Sequence, residues 1–291
     1  MNLELIKGTG VALITPFDSK GEVDYKSLKD LVDHVICKGV DFVVAMGTTS
    51  EAATLNEKEK EDVLKTIIEE VDNRVPIVLG IGGNNTKVVV ETIKATNFDK
   101  IDAILSVAPY YNKPNQEGMI AHFSAIAEAS PKPIILYNVP GRTSSNLTAS
   151  TVLKLANTFK NIIAVKEASA DFSQIMEIIK NKPKGFKVLS GDDALTLPLM
   201  SIGMEGVISV VANVKPEEMS SMLKEIYIGN CDEAKEIHYK MLDLINALFE
   251  EGNPSGIKSA LQQVGIIENE TLRLPLVSVS DGLRKKIKAL V

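Results

Sequence analysis

Eight times along its 291 residues this chain repeats one unit: a run of four to six mostly apolar residues, then a longer stretch with apolar positions at helical spacing. The runs are Gly10–Thr15, Phe42–Met46, Ile77–Ile81, Ala103–Ala108, Ile134–Asn138, Ile162–Lys166, Lys187–Ser190 and Gly206–Ser209. They are apolar almost throughout instead of alternating, which marks strands covered on both faces, as in a parallel sheet. Eight βα units predict an α/β fold, a (β/α)8 TIM barrel over residues 1–229. Cys231–Glu250, Pro254–Val264 and Ser280–Leu290 then carry helical periodicity with no further strand, predicting a C-terminal helical extension over 230–291. Helix starts are marked by Asn56 with Glu59, a capping box, and by Thr86, Thr148 and Asp171.

Spacing alone also allows an open doubly wound sheet. The glycine-rich stretch Gly80-Ile81-Gly82-Gly83-Asn84-Asn85 lacks the third glycine of a dinucleotide fingerprint at its offset, and no Lys-Ser/Thr pair follows a glycine loop. It reads as a βα turn.

The net charge of −6 and the absence of a Lys/Arg cluster argue against a nucleic-acid partner, and Lys285-Lys286 reads as a solvated helix face. Cys37 and Cys231 have neither disulfide nor metal-ligand spacing, so a reducing, cytoplasmic setting is expected. The start, Met1 to Gly8, lacks a basic segment followed by an apolar one, so it is expected to remain in the mature chain. The most apolar run, Gly206–Val214, falls short of the ~20 residues a membrane span needs. His34, His122 and His238 all fall in helical segments, which supports neither a metal triad nor a Ser-His-Asp arrangement; no metal is expected.

In a βα barrel the chemistry sits at the C-terminal ends of the strands. Lys166 closes the run Ile162-Ile163-Ala164-Val165, so its amine should be buried. Burial favours the uncharged amine, the form that attacks a ketone to give a carbinolamine and then an imine. The bland reading is a lysine that snorkels to solvent or pairs with Glu167. Tyr137 ends the neighbouring strand, and its phenol can donate and accept protons, as carbinolamine dehydration requires; otherwise it is a core tyrosine bonded to backbone. Thr48 and Thr49 follow a glycine after the second strand and offer hydroxyls, although Gly-Thr-Thr-Ser also suits an ordinary helix entry. Arg142, in a Pro-Gly turn, can grip an anion through its planar fork or sit in a surface ion pair.

These segments together resemble the family of dihydrodipicolinate synthase and N-acetylneuraminate lyase. The likeness covers essentially the whole chain, through Gly10–Phe17, Gly47–Glu51, Pro109–Pro114, Tyr137–Thr143, Val165–Ser169, Ser190–Asp193 and Asn253-Pro254. The resemblance implies a (β/α)8 barrel with a C-terminal helical extension, no cofactor beyond a covalent imine of pyruvate with Lys166, Tyr137 as proton donor and acceptor, and a hydroxyl relay through Thr48 and Tyr111. Thr49 and Ile208 would hold pyruvate, and Gly191 would join the substrate-binding set. The tyrosine matching Tyr111 reaches into a neighbouring subunit in the family, implying a dimer at least and a homotetramer of two dimers as the common case.

Within the family the Tyr137–Thr143 segment implies the branch in which the arginine, here Arg142, receives the carboxylate of L-aspartate 4-semialdehyde, on the route to diaminopimelate and lysine. Lyases of sialic or keto-deoxy sugar acids, and a non-catalytic barrel that binds small acids, are the competing readings. One departure concerns regulation. Lysine-inhibited members carry histidines after the Thr-Leu-Asn motif and a glutamate in the next βα unit, whereas this chain has Glu57, Lys60 and Val88 there. Weak or absent lysine feedback is expected, and half-inhibition by micromolar lysine would overturn that.

Overall fold

A computed structural model describes residues 6–291; Met1 to Leu5, part of the start expected to persist in the mature chain, lie outside them. In chain order the elements are β1 (Gly8–Ala12), α1 (Tyr25–Cys37), β2 (Phe42–Ala45), α2 (Glu57–Val71), β3 (Ile77–Gly80), α3 (Thr86–Ala95), β4 (Ala103–Val107), α4 (Gln116–Ala129), β5 (Ile134–Asn138) and α5 (Pro140–Thr143). There follow α6 (Ala149–Thr158), β6 (Ile162–Glu167), α7 (Phe172–Asn181), β7 (Lys187–Ser190), α8 (Thr196–Ser201), β8 (Gly206–Ser209), α9 (Pro216–Tyr227), α10 (Cys231–Glu250), α11 (Ser255–Gln263) and α12 (Asp281–Leu290).

The strands hydrogen-bond in sequence order, β1 to β8, as a closed barrel, so the fold is the (β/α)8 barrel and not the open doubly wound sheet. The paired strands are parallel, and all five residues of β5 and all six of β6 are buried, which is why their sequences carry no alternation. Helix starts follow side-chain chemistry. Asn56 accepts from Glu59 N–H at 2.9 Å while the Glu59 carboxylate accepts from Asn56 N–H at 2.9 Å, the reciprocal box expected. Thr148 and Asp171 cap α6 and α7 as anticipated, whereas α3 is capped by Asn85, with Thr86 its first helical residue.

Strand boundaries differ from expectation where the hydrogen bonds go elsewhere. β1 begins at Gly8 and ends at Ala12, because Ile14 N–H turns to the side-chain oxygen of Asn213 at 3.3 Å. β6 runs one residue further, to Glu167, which keeps register with Asn138 on one side and Ser190 on the other.

The chain divides into two compact units, one running from Ile77 to Ile208 and the other comprising Gly8–Pro76 with Ser209–Val291. In the second unit α10 packs on α9, α11 and α12. No helix among the described residues is long and apolar enough to cross a membrane.

Candidate active site

β5 and β6 pair with Tyr137 opposite Lys166 and Asn138 opposite Glu167. Side chains alternate across a strand, so each pair shares a face and the two pairs lie on opposite faces. Lys166 is 5% exposed and Tyr137 8%, and the Lys166 amine lies over the Tyr137 ring, 4.4 Å from its centroid. Among the described residues that amine makes no hydrogen bond or ion pair, so neither snorkelling nor pairing with Glu167 describes it. Gly191, directly after β7, completes the contact: a Cβ there would stand 2.9 Å from Lys166 Cε and 3.2 Å from its Cγ.

Glu167 faces away. Its carboxylate, fully buried, accepts from both sides: Asn138 Nδ2 at 3.1 Å, Ser169 N–H at 2.8 Å and Gln174 Nε2 at 3.3 Å. Burial pushes the carboxyl above its usual range, with these hydrogen bonds opposing. Asn138 also accepts from Leu147 N–H at 2.9 Å, so the outer faces of the two strand ends that carry Tyr137 and Lys166 are tied together.

Three lysines are buried among the described residues, and their surroundings differ. Lys187 begins β7 and has a polar partner, and Lys258 is paired with Glu51; of the three, only Lys166, next to last in β6, has its nitrogen uncommitted. Burial pulls the Lys258 amine down to about 8, with the Glu51 charge opposing.

The other residues singled out in the sequence are placed as follows. Ile208, 1% exposed, lies within β8. Arg142, in α5, is exposed and makes no ion pair among the described residues, so the surface-bridge alternative is absent. Tyr111, in the loop after β4, is 88% exposed and holds a left-handed backbone at φ 73. Beside it the Asn84 amide donates to Tyr110 O at 3.0 Å and Asn112 Nδ2 donates back to Asn84 O at 2.9 Å.

In the other unit, Thr48–Ser50 form a single tight helical turn after β2, with Thr48 exposed and Thr49 2% exposed. Asn253 Nδ2 donates to Thr49 Oγ1 at 3.0 Å. Glu57 and Lys60, at the positions compared with the lysine-inhibited pattern, pair with each other at 2.7 Å. No group of three or more His, Cys, Asp or Glu capable of holding a metal occurs among the described residues.

Sequence reading missed the buried Glu51–Lys258 pair, the Asn253–Thr49 bond and the Glu167 network. A signal existed for the first: Lys258 sits in α11 among Ile257, Ala260 and Leu261, and a lysine among apolar helix positions needs a partner.

Fold and site are together those of a barrel enzyme with a lysine and a tyrosine in contact at adjacent strand ends. The sequence profile of the dihydrodipicolinate synthetase family matches residues 5–291, and the chain belongs to that family. It is 52% identical over 280 residues to the 4-hydroxy-tetrahydrodipicolinate synthase of Flavobacterium psychrophilum, covering 96% of this chain and 95% of that one. The structure of the chloride-inhibited dihydrodipicolinate synthase of Acinetobacter baumannii complexed with pyruvate superposes with a TM-score of 0.94 at 41% identity, covering 98% of this chain and 97% of that one. A structure described as the first monomeric dihydrodipicolinate synthase variant gives a TM-score of 0.96 at 37% identity, covering 99% and 96%.

Proposed function

We propose that this chain is a 4-hydroxy-tetrahydrodipicolinate synthase, condensing pyruvate with L-aspartate 4-semialdehyde on the diaminopimelate and lysine route through an imine on Lys166. The observation that carries the reading is a buried amine at a strand end, uncommitted to any carboxylate and packed on a phenol. The uncharged amine attacks pyruvate C2, and Tyr137 passes protons as the carbinolamine loses water. Loss of a C3 proton gives the enamine, whose C3 bonds to the aldehyde carbon, converting that carbonyl to a hydroxyl. The semialdehyde's amino group then adds to the imine carbon and displaces the Lys166 amine, closing the ring and freeing the enzyme.

Thr49 and Ile208 hold pyruvate in this scheme, with Gly191 in the substrate-binding set, and the unpaired Arg142 receives the semialdehyde carboxylate. Thr48 and Tyr111 extend the proton path from Tyr137, with Tyr111 supplied by a second copy of the chain in a dimer or a dimer of dimers. The exposure and left-handed backbone of Tyr111 support a tip built to project. One structural relative is described as monomeric, so sedimentation velocity is the direct check. No cofactor enters the scheme, and the enzyme would act in the cytoplasm.

The test is a side-by-side assay with pyruvate plus L-aspartate 4-semialdehyde, and with sialic and keto-deoxy sugar acids. Condensation of the first pair alone is expected. Cleavage of a sugar acid without condensation would reject the synthase in favour of a lyase of the same family, and inertness toward all would favour a barrel that only binds small acids.

A further inference from the structure

Glu51 and Lys258 form an ion pair in which both side chains are 0% exposed, and nothing in the condensation uses either group. Two charges withdrawn from water persist only where geometry is good and the remaining lone pairs and protons are met. Here they are met. Lys258 Nζ donates to Glu51 Oε1 and to Thr271 O at 2.9 Å, and lies 4.0 Å from the centroid of the Phe17 ring. Glu51 Oε2 accepts from the Arg273 backbone N–H at 3.0 Å. The Arg273 guanidinium stacks on the same ring at 4.5 Å and pairs with Glu59 near the start of α2.

The significance lies in where Glu51 sits. It closes the Thr48–Ser50 turn with a left-handed backbone at φ 54, a conformation that a residue with a Cβ holds only where its surroundings over-determine it. The buried pair supplies that over-determination, fixing the end of the turn to α11. Asn253, two residues before α11 begins, fixes its middle by donating to Thr49 Oγ1 at 3.0 Å. A hydroxyl has one proton to give and two lone pairs to receive. Asn253 fills one lone pair, and the Thr49 proton has no acceptor among the described residues, so it remains available to an anion.

We infer that Lys258, acting through Glu51, and Asn253, acting on Thr49, are positioning residues for pyruvate: the segment leading into α11 aims the Thr48-Thr49 turn. This rests on the reading above, in which Thr49 holds pyruvate. The C-terminal helices thereby serve the first substrate and not only the packing of the chain.

The experiment compares Asn253→Ala, Lys258→Met, Thr49→Val and the double variant Lys258→Met/Thr49→Val in the full chain. For each, native folding is checked by circular dichroism and thermal unfolding. The half-saturating pyruvate concentration is read from borohydride-trapped adduct, and KM for the semialdehyde and kcat are measured separately. At least a fivefold rise in pyruvate half-saturation is expected for Asn253→Ala and Lys258→Met, with the semialdehyde KM within twofold of wild type. The double variant should be within twofold of Thr49→Val alone. Asn253→Ala leaves the ion pair intact and carries the test if Lys258→Met does not fold. Folded variants with wild-type pyruvate half-saturation, or a double variant in which the two effects multiply, would overturn the positioning role while leaving the synthase reading in place. An inert Thr49→Val would instead remove Thr49 from the pyruvate site and this inference with it.

Discussion

Replacing Gly191 by alanine should slow imine formation at Lys166 by roughly 100-fold while leaving the barrel folded. A methyl group on Gly191 would stand 2.9 Å from Lys166 Cε and 2.8 Å from Ala168 Cβ. Carbon atoms settle at about 3.5–4.0 Å, so the lysine methylene must retreat by about 1 Å. It cannot do so freely, because the side chain is 5% exposed and its nitrogen already rests on the Tyr137 ring. Overpacking of this kind costs about 1–3 kcal/mol of stability, and a misplacement of ~1 Å in a reacting group can cost ~100-fold in rate. The assay is rapid-mix borohydride trapping of the pyruvate adduct with mass detection, alongside thermal unfolding. A folded Gly191→Ala protein forming adduct within threefold of the wild-type rate would refute the contact argument.

Tyr137→Phe keeps the ring under the Lys166 amine and removes only the hydroxyl, so kcat should fall by ~100-fold or more with little change in melting temperature; a fall under threefold would remove Tyr137 as the proton carrier. Arg142 is exposed and unpaired, so Arg142→Ala should raise KM for the semialdehyde by roughly 10- to 100-fold, the worth of one charged hydrogen-bonding group, while steady-state kinetics show an unchanged half-saturation for pyruvate. His122, buried in α4 with Thr86 Oγ1 at 2.9 Å, is held down from 6.5 to about 4 by burial. Its folded form resists the proton that the unfolded chain accepts. Its contribution is therefore complete above pH 6.5 and is lost as pH falls toward 4. Urea unfolding should show His122→Asn losing about 2 kcal/mol less than wild type between pH 7 and pH 5.

The barrel was legible because a strand buried on both faces is apolar without alternation, as Ile134-Ile135-Leu136 and Ile162-Ile163-Ala164-Val165 are before their polar ends. The lysine and tyrosine were legible for the same reason, since a polar group ending such a run has little purpose in packing. Less visible was anything decided by hydrogen bonds between distant segments. Lys258 stands among apolar helix positions and so asks for a partner, yet nothing local names that partner, Glu51, which lies 207 residues away. Glu167 read as a possible mate for Lys166, yet strand alternation turns it to the opposite face, where Asn138, Ser169 and Gln174 receive it. β1 ended early because Asn213 took over the backbone hydrogen bonding at Ile14, an exchange invisible to hydrophobic pattern.

The most direct test of the central claim sets the buried Lys166 amine against the buried Lys258 amine. The protein is incubated with pyruvate, reduced with borohydride, digested, and its peptides mapped by mass. The account requires a single reduced pyruvyl adduct on Lys166, absent from Lys166→Ala, and none on the still more buried, ion-paired Lys258. An adduct on Lys258 or any other lysine, or condensation surviving in Lys166→Ala, would contradict it.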